Sequence, residues 1–320
     1  MIIILTIGYE KSSDDVANYF LFNNDAFLRI NFDQLKINKN FDFYYNLNDN
    51  DSSISFSEKK INYNERKVIW YRRLGKKEKT IKIVEKNFDH SNFKLFTNFI
   101  NKEWESFTHL FINIISNNSI WLDRPYKINK LKVLNLAMSS DLKIPKTLIT
   151  NNLKYIDKIK NYITKPLDNT TGFFYKKNFF ATYTTGLNKF YTSFSPSLIQ
   201  EKIEKKYEIR TFYLDGECYS MAIFSQNDKQ TQVDFRQYNY SKPNRNIPYK
   251  LPLKIEEKLK KLMDGLQLKT GSIDIIKGID GEYYFLEVNP VGQFGMTSKP
   301  CNYNLEKKIY EKLISYEENI

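Results

Sequence analysis

Two short apolar runs separated by a polar turn lie near the end of the chain, between Gly271 and Gly295. The runs from Ser272 to Lys277 and from Tyr283 to Asn289 are rich in β-branched and aromatic residues, which favours strands. The Asp280-Gly281 pair between them is typical of a tight turn in which both residues have positive φ. We therefore predict a β-hairpin here.

The same pattern predicts strands and helices along the rest of the chain. In residues 1–124 we expect a first buried strand in MIIILTIG, a helix from Ser12 to Phe20, strands at 27–31 and 67–71, a polar loop at 45–53 and helical spacing over 80–118. In residues 125–203 we expect a helix that opens near Lys130, a proline-interrupted turn followed by a strand within 142–150, and strands at 162–167 and 197–203. In residues 204–320 we expect strands at 207–214 and 218–226, the hairpin, and helices at 250–268 and 304–316. These three ranges are the predicted domains.

Composition narrows the class of protein. The 320 residues carry a net charge of +12, so anionic partners such as nucleotides, nucleic acid or acidic peptides are expected, although a solvated lysine surface has the same composition. Two cysteines and two histidines give neither a disulfide framework nor a zinc-binding spacing. No apolar run approaches the roughly 20 residues that span a bilayer. We expect a cytoplasmic protein with no membrane partner, and no sequence motif indicates nucleic-acid binding.

Three oxygen-bearing side chains stand out in the predicted hairpin. Glu287 and Asn289 are two residues apart and should share one face of their strand, and Asp274 can lie beside them on the partner strand. Two carboxylates and an amide carbonyl suit Mg²⁺, which is usually shared with substrate phosphates. The alternative is an ordinary surface hairpin with scattered polar residues.

Asp274 followed by Glu287-Val288-Asn289-Pro290 resembles the C-terminal signature of ATP-grasp ligases. The resemblance implies an α+β fold with an N-terminal α/β pre-ATP-grasp domain, a central domain and a C-terminal domain, and Asp274, Glu287 and Asn289 as ligands of the Mg²⁺ that bridges ATP phosphates. It also implies specific ATP contacts. Lysines at the start of a helix and on a later strand, here Lys130 and Lys165, would contact the phosphates. Adenine would bind at a hinge, and a carboxylate would hold the ribose; the corresponding residues are Gln200, Glu201, Ile203 and, for the ribose, Glu208.

The spacing Glu208-x-Arg210 followed by Val233-Asp234-Phe235-Arg236 is similar to one branch of that superfamily, the microviridin-type or graspetide maturases of the grasp-with-spasm group. Those enzymes activate an Asp or Glu side chain of a ribosomal precursor peptide as an acyl phosphate. A Ser or Thr hydroxyl, or a Lys amine, of the same peptide then closes an ω-ester or ω-amide ring. Arg210 and Arg236 would hold the γ-phosphoryl group and the peptide carboxylate, unless they pair with Glu208 or Asp234. Asp234 would orient Arg236 or accept the proton of the nucleophile.

The resemblance implies ATP, Mg²⁺ and a precursor peptide with a leader and an acidic, Thr/Ser-containing core as partners, and a homodimer. Two other functions remain open. One is a RimK-like ligase that adds free amino acids to a protein or peptide. The other is a non-catalytic basic protein that binds nucleic acid or a peptide. The sequence does not decide between ester and amide products.

Overall fold

The computed structural model describes residues 1–35, 41–46, 48, 51–56, 59–75, 89–125, 127–158, 161–167, 172–175, 178–181, 185–186, 194–228, 231 and 239–319. The chain divides into two compact units, Met1–Pro125 with Glu306–Ile320, and Tyr126–Leu305. We call them unit 1 and unit 2. In the described part of the chain, no helix combines the length and the apolar character that crossing a bilayer requires.

Unit 1 is built around a parallel sheet. Its elements are β1 (Ile2–Thr6), α1 (Lys11–Asn23), β2 (Phe27–Asn31), β3 (Phe41–Asn46), β4 (Asp51–Phe56), β5 (Lys59–Asn62), β6 (Lys67–Tyr71), α2 (His90–Ser116), β7 (Ser119–Asp123) and, from the end of the chain, α6 (Leu305–Glu318). The sheet has the order β2-β1-β6-β7 with all strands parallel. Residues 2–5 are completely buried, as expected for a strand covered on both faces.

A buried ion pair in unit 1 joins the segments that follow β1 and β6, the two central strands of the parallel sheet. Glu10 caps α1 by accepting a hydrogen bond from the Ser13 backbone N–H at 2.7 Å. Its other carboxylate oxygen lies 3.2 Å from Arg72 Nη2, and both side chains are almost fully buried. Arg72 also lies over the Trp70 ring. The pair therefore ties the start of α1 to the residue that follows β6.

The predicted polar loop at 45–53 is wrong at both ends. Residues 45–46 belong to β3 and residues 51–53 belong to β4, and β3, β4 and β5 form an antiparallel sheet of their own. Phe41, Phe56 and Ile61 anchor this sheet in the core of unit 1. The Asn, Asp and Ser residues occupy the middle of the connection and the strand ends, so their turn chemistry marks a hairpin and not a long loop.

Unit 2 contains two larger sheets. Its elements are α3 (Lys130–Ser139), β8 (Thr147–Thr150), β9 (Tyr162–Lys165), β10 (Gly172–Tyr175), β11 (Asn178–Ala181), β12 (Thr185–Gly186), β13 (Ser197–Glu201), β14 (Lys205–Leu214), β15 (Glu217–Phe224), β16 (Arg245–Tyr249), α4 (Leu253–Gly265), β17 (Thr270–Gly278), β18 (Tyr283–Asn289) and α5 (Gly295–Cys301). One sheet has the order β12-β9-β13-β8 and the other β16-β15-β14-β17-β18, while β10 and β11 pair as a hairpin.

The five-stranded sheet of unit 2 has one apolar face. That face packs against α3 and α4 in a single core that includes Val133, Ala137, Ile209, Leu259, Met263, Ile273, Phe285 and Val288. Because successive side chains of a strand point to opposite faces, the residues between these apolar positions point away from the helices. The opposite face of this sheet therefore carries the polar residues of the candidate site.

Candidate functional site

The predicted metal ligands lie at matching positions of two neighbouring strands. In the β17–β18 hairpin, Asp274 is directly opposite Glu287, and Ser272 is directly opposite Asn289. Residues opposite each other in an antiparallel pair project from the same face. Asp274, Glu287 and Asn289 therefore share the face that points away from α3 and α4, with Asp274 buried and the other two half-buried.

A β-bulge is what directs Glu287 to this face. Asp274 pairs with Glu287 but Ile275 pairs with Phe285, which leaves Leu286 as an extra residue in β18. Phe285 and Glu287 are two residues apart and would share a face in a regular strand, yet Phe285 lies in the core with the helices. The sequence alone does not show this bulge, because residues 283–286 form a continuous apolar run in which the two faces of the strand cannot be told apart.

Arg210 completes a row of charged residues across three strands. Its Cα is directly opposite that of Asp274, and Arg210 Nη1 lies 2.8 Å from Asp274 Oδ1. Both side chains are buried, and Arg210 Nε has no hydrogen-bond partner among the described residues. From the sequence, Glu208 or Asp234 was the expected carboxylate partner of this arginine. The described partner is instead the predicted metal ligand.

Glu208 lies two residues before Arg210 on β14 and forms a separate cluster. Its carboxylate accepts hydrogen bonds from Lys205 Nζ and from Ser225 Oγ. All three residues have buried or nearly buried polar groups, so this carboxylate is held by two donors in a fixed orientation. The sequence did not single out Lys205 or Ser225: Ser225 reaches Glu208 through the pairing of β14 with β15, and Lys205 lies three residues before Glu208 on β14, at an irregularity in the pairing with β17.

A hydrogen bond links the two segments that carry the predicted phosphate-binding lysines. Lys130 is the first residue of α3, after the N-cap residue Asn129, and its Nζ donates to the Pro166 carbonyl at 3.3 Å. Pro166 directly follows Lys165, the last residue of β9. The start of α3 and the end of β9 therefore meet, and each contributes one lysine.

The predicted adenine hinge is shorter than expected. The strand β13 ends at Glu201, and Ile203 lies in the three-residue connection 202–204 before β14. The backbone N–H of Glu201 donates to the Lys146 carbonyl at 2.8 Å and that of Lys202 to the Asn161 carbonyl at 2.6 Å. Both bonds continue the register of β13 against β8 and β9, so backbone pairing extends to Lys202 and does not include Ile203.

Gln200 is buried in the middle of this sheet. Its Nε2 donates to Thr147 Oγ1 at 2.9 Å, whereas its Oε1 is buried and has no hydrogen-bond partner in the described part of the chain. Gln200 and Lys165 point to the same face, because Lys165 is opposite Leu198 and Leu198 is two residues before Gln200. One face of this sheet therefore offers an ammonium group and an unpaired carbonyl oxygen.

Asp234 and Arg236 lie outside the described residues, so their predicted positions remain predictions.

The donor set on the β17–β18 face fits Mg²⁺. It consists of oxygen atoms from two carboxylates and one amide, and none of the described residues form a cluster of three or more His, Cys, Asp and Glu that would favour another metal. Ser272, opposite Asn289, adds a buried hydroxyl that makes no hydrogen bond to any residue the structure describes. Hard oxygen ligands that leave room for water and phosphate are what Mg²⁺ requires.

Solved structures of similar fold cover almost the whole chain. A ligase from Chryseobacterium gregarium, described as a RiPP-associated ATP-grasp ligase in complex with ADP and a leader and core peptide, has a TM-score of 0.81 and 23% identity over 98% of this chain and 96% of its own. The macrocyclase MdnC from Microcystis aeruginosa MRC, bound with the precursor peptide MdnA, has a TM-score of 0.79 and 25% identity over 99% and 100%.

The chain has the fold of ATP-grasp ligases. A third structure, the ATP-grasp ligase PsnB complexed with a phosphomimetic variant of its minimal precursor, Mg and ADP, matches with a TM-score of 0.75 and 14% identity over 98% of this chain and 97% of that one. No protein-family model and no curated protein matches the sequence. The ATP-grasp fold expected from Asp274 and the Glu287-Asn289 motif is therefore confirmed by structure comparison.

Proposed function

We propose that this protein is an ATP- and Mg²⁺-dependent macrocyclase that modifies a ribosomal precursor peptide. The observation that carries the proposal is the row Arg210, Asp274 and Glu287 across β14, β17 and β18. It places an anion-binding guanidinium beside a magnesium-type ligand set in an ATP-grasp fold. The solved relatives described above include complexes with ADP and with leader, core or precursor peptides, which supports a nucleotide and a peptide as ligands here.

The reaction has two steps. An Asp or Glu side-chain oxygen of the peptide attacks the γ-phosphorus of ATP, the bond from that phosphorus to ADP breaks, and an acyl phosphate forms. A Thr or Ser hydroxyl, or a Lys amine, then attacks the acyl carbon and expels phosphate, with loss of one proton from the nucleophile. The ring that results is an ω-ester or an ω-amide, and each ring removes the elements of one water from the peptide.

The residues of this chain bind and orient the reactants. Asp274, Glu287 and Asn289 would hold Mg²⁺, which when bound neutralises negative charge on the phosphoryl group being transferred. Lys130 and Lys165 would contact the ATP phosphates as flexible point charges. The purine would lie at the hinge and the ribose against Glu208; the hinge residues are Gln200, Glu201 and Ile203.

Arg210 and Arg236 would bind the phosphoryl group and the peptide carboxylate, because a guanidinium offers two parallel donors to such groups and stays protonated. Asp234 would orient Arg236 or accept the proton of an attacking hydroxyl. An attacking amine needs this help less, since it is the stronger nucleophile.

Mass spectrometry tests the proposal. The purified protein, ATP, Mg²⁺ and the short peptide encoded next to it should give a product that is lighter by one water per ring. Asp274→Asn combined with Glu287→Gln should abolish this loss, whereas Lys261→Gln, on the exposed side of α4, should retain it. ATP turnover without loss of water would contradict macrocyclisation, and a mass increase by whole amino acids would indicate the RimK-like ligase instead.

The precursor composition and the homodimer are further parts of the proposal. A leader with an acidic, Thr/Ser-containing core suits a protein with a net charge of +12. Light scattering coupled to size-exclusion chromatography should give twice the mass of the 38.2 kDa chain if the protein is a dimer.

A further inference from the structure

Two cations can bind the Asp274 carboxylate: the Mg²⁺ of the proposed metal site and the guanidinium of Arg210. Asp274 is the central member of the proposed metal site, directly opposite Glu287 on one side. On its other side, Asp274 Oδ1 already accepts a hydrogen bond from Arg210 Nη1 at 2.8 Å. The guanidinium therefore occupies an oxygen that the metal would use or neighbour.

Arg210 is also incompletely bonded where it lies. Its side chain is buried, and its Nε has no hydrogen-bond partner among the described residues. A buried donor on a charged group that lacks an acceptor is unfavourable compared with the same donor paired. Nε and one Nη of a guanidinium together make the two-point contact that a carboxylate or phosphate accepts. The position against Asp274 uses only part of this capacity.

We propose that Asp274 exchanges partners during the catalytic cycle: it holds Arg210 before nucleotide binds, and Mg²⁺ with nucleotide displaces the guanidinium, which then binds the acidic side chain of the peptide. The inference rests on the proposed function, because it requires the metal site. Its physical cause is electrostatic. A divalent ion bound to Asp274 and Glu287 neutralises the negative charge that attracts Arg210, and the ion also repels the positively charged guanidinium.

The exchange has a functional consequence. Before the metal binds, Asp274 competes with the peptide carboxylate for Arg210, so the acidic side chain is bound weakly. After the metal binds, Arg210 becomes available at the place where the γ-phosphoryl group is presented. The order of binding, nucleotide with Mg²⁺ first and acidic side chain second, is therefore built into one cross-strand pair.

Arginine-selective NMR tests the exchange directly. The sequence contains eight arginines, so ¹⁵Nε labelling gives few signals, and loss of one signal in Arg210→Lys assigns Arg210. In protein saturated with ADP, added Mg²⁺ should move the Arg210 Nε signal, whereas ADP alone should leave it in place. In Asp274→Asn, which removes the charge that holds the guanidinium, the signal in ADP alone should already be displaced.

Three outcomes are distinguishable. Movement of the Arg210 signal with Mg²⁺ supports the exchange. Binding of ADP and Mg²⁺, seen by calorimetry, with the Arg210 signal unchanged would overturn the exchange and leave the proposed function intact. Absence of ADP binding would overturn the proposed function and the exchange with it.

Metal affinity gives a second readout, with Mn²⁺ as the probe in electron paramagnetic resonance. If Arg210 competes for Asp274, Arg210→Gln should tighten Mn²⁺ binding to the ADP-bound protein by about tenfold, the factor expected when one charge-assisted hydrogen bond no longer opposes binding. Arg245→Gln is the matched control, because Arg245 is an exposed arginine on β16 of the same sheet. Equal Mn²⁺ affinity in wild type and Arg210→Gln would contradict the exchange.

Discussion

Gly292 lies directly against Ser272, so closely that a Cβ built on Gly292 would be 2.0 Å from Ser272 Oγ and 2.7 Å from the Ser272 backbone nitrogen. Gly292 belongs to the segment that follows Asn289, and Ser272 is the residue opposite Asn289. This contact holds the segment after β18 against the β17 strand, directly beside the proposed metal ligands.

Gly292→Ala should destabilise the protein by about 1–3 kcal/mol and weaken Mn²⁺ binding, because overpacking forces the 290–294 segment away from β17. Ser272→Gly should rescue only part of the loss, since the backbone nitrogen stays too close. The matched control is Gly295→Ala, where a Cβ meets nothing within 4 Å. Chemical denaturation and a Mn²⁺ titration measure both effects, and equal stability of the two alanine variants would contradict the prediction.

Lys130 should contribute to ATP binding in two ways. Besides its proposed contact with phosphate, it ties the start of α3 to Pro166 and so positions the end of β9. Lys130→Ala should therefore weaken ATP binding by about tenfold or more, the loss expected for one charged hydrogen-bond donor. Lys132→Ala, an exposed lysine two residues further along α3, should bind ATP like wild type. Calorimetry with a non-hydrolysable ATP analogue makes the comparison, and similar affinities of the two variants would refute this role.

In unit 2 the sequence predicted the β14–β15 and β17–β18 hairpins and the strands β8, β9 and β13, but it predicted neither the strands β10, β11, β12 and β16 nor the pairing of β14 with β17. The run Tyr283 to Asn289 matches β18 at both ends, because alternation and the flanking turn residues are local signals. The pairing of Arg210 with Asp274 is a contact between residues 64 apart in sequence, and only the register of β14 against β17 determines it. The sequence spacing offered Glu208 or Asp234 as the partner of Arg210 and placed Asp274 only in the metal site, so it did not predict the Arg210–Asp274 pair.

Turn chemistry was also only partly predictable. The Asp215-Gly216 turn has positive φ at both residues, as the Asp-Gly pair indicates. In the Asp280-Gly281 turn only Gly281 has positive φ, so the expectation for Asp280 is wrong. That connection has four residues between β17 and β18, and the Asp280 carboxylate accepts the Glu282 backbone N–H at 3.0 Å. A longer loop relaxes the requirement that both residues adopt the left-handed conformation.

The Glu10–Arg72 pair should make unit 1 sensitive to acid. Burial raises the pKa of Glu10, but the charge and hydrogen bonds of Arg72 and the Ser13 donors outweigh it, so the pKa lies below its ordinary value of 4.5. A carboxyl whose folded-state pKa is lowered stabilises the fold above its unfolded pKa and loses that contribution as the pH falls. Stability from this pair should therefore be complete at neutral pH and decline below about pH 4.5.

Glu10→Gln should remove this contribution and lower the free energy of unfolding by about 3–5 kcal/mol at pH 7, because it removes the carboxylate that lies against the buried Arg72 guanidinium. The stability difference from wild type should shrink as the pH falls below 4.5. Glu311→Gln, which removes an exposed carboxylate paired with Lys307 on α6, should change stability by less than about 1 kcal/mol. Urea denaturation across pH measures all three proteins, and a constant difference between Glu10→Gln and wild type would exclude the pH dependence.

Because Leu286 is the extra residue of the bulge, deletion of Leu286 and deletion of Val288 should have different effects on the orientation of the β18 side chains. Without Leu286, Phe285 can still lie opposite Ile275 while Glu287 lies opposite Asp274, so every other side chain keeps its face. Without Val288, which lies in the core, Asn289 moves to the position opposite Ile273 and faces the helices. A one-residue slip in a half-buried strand exchanges its apolar and polar faces.

Deletion of Leu286 should therefore give a folded protein. The Val288 deletion variant should be less stable than the Leu286 deletion variant by at least about 3 kcal/mol, because it loses a core side chain and buries the Asn289 amide. The Leu286 deletion should nevertheless bind Mn²⁺ more weakly than wild type, because a bulge bends its strand and aims the adjacent side chain, here Glu287. Leu286→Ala keeps the extra residue and should retain metal affinity. Thermal unfolding compares the stabilities of the two deletion variants, and a Mn²⁺ titration compares the metal affinities of the Leu286 deletion, Leu286→Ala and wild type. Unfolding of both deletions at the same temperature would contradict the assignment of Leu286 as the extra residue of the bulge.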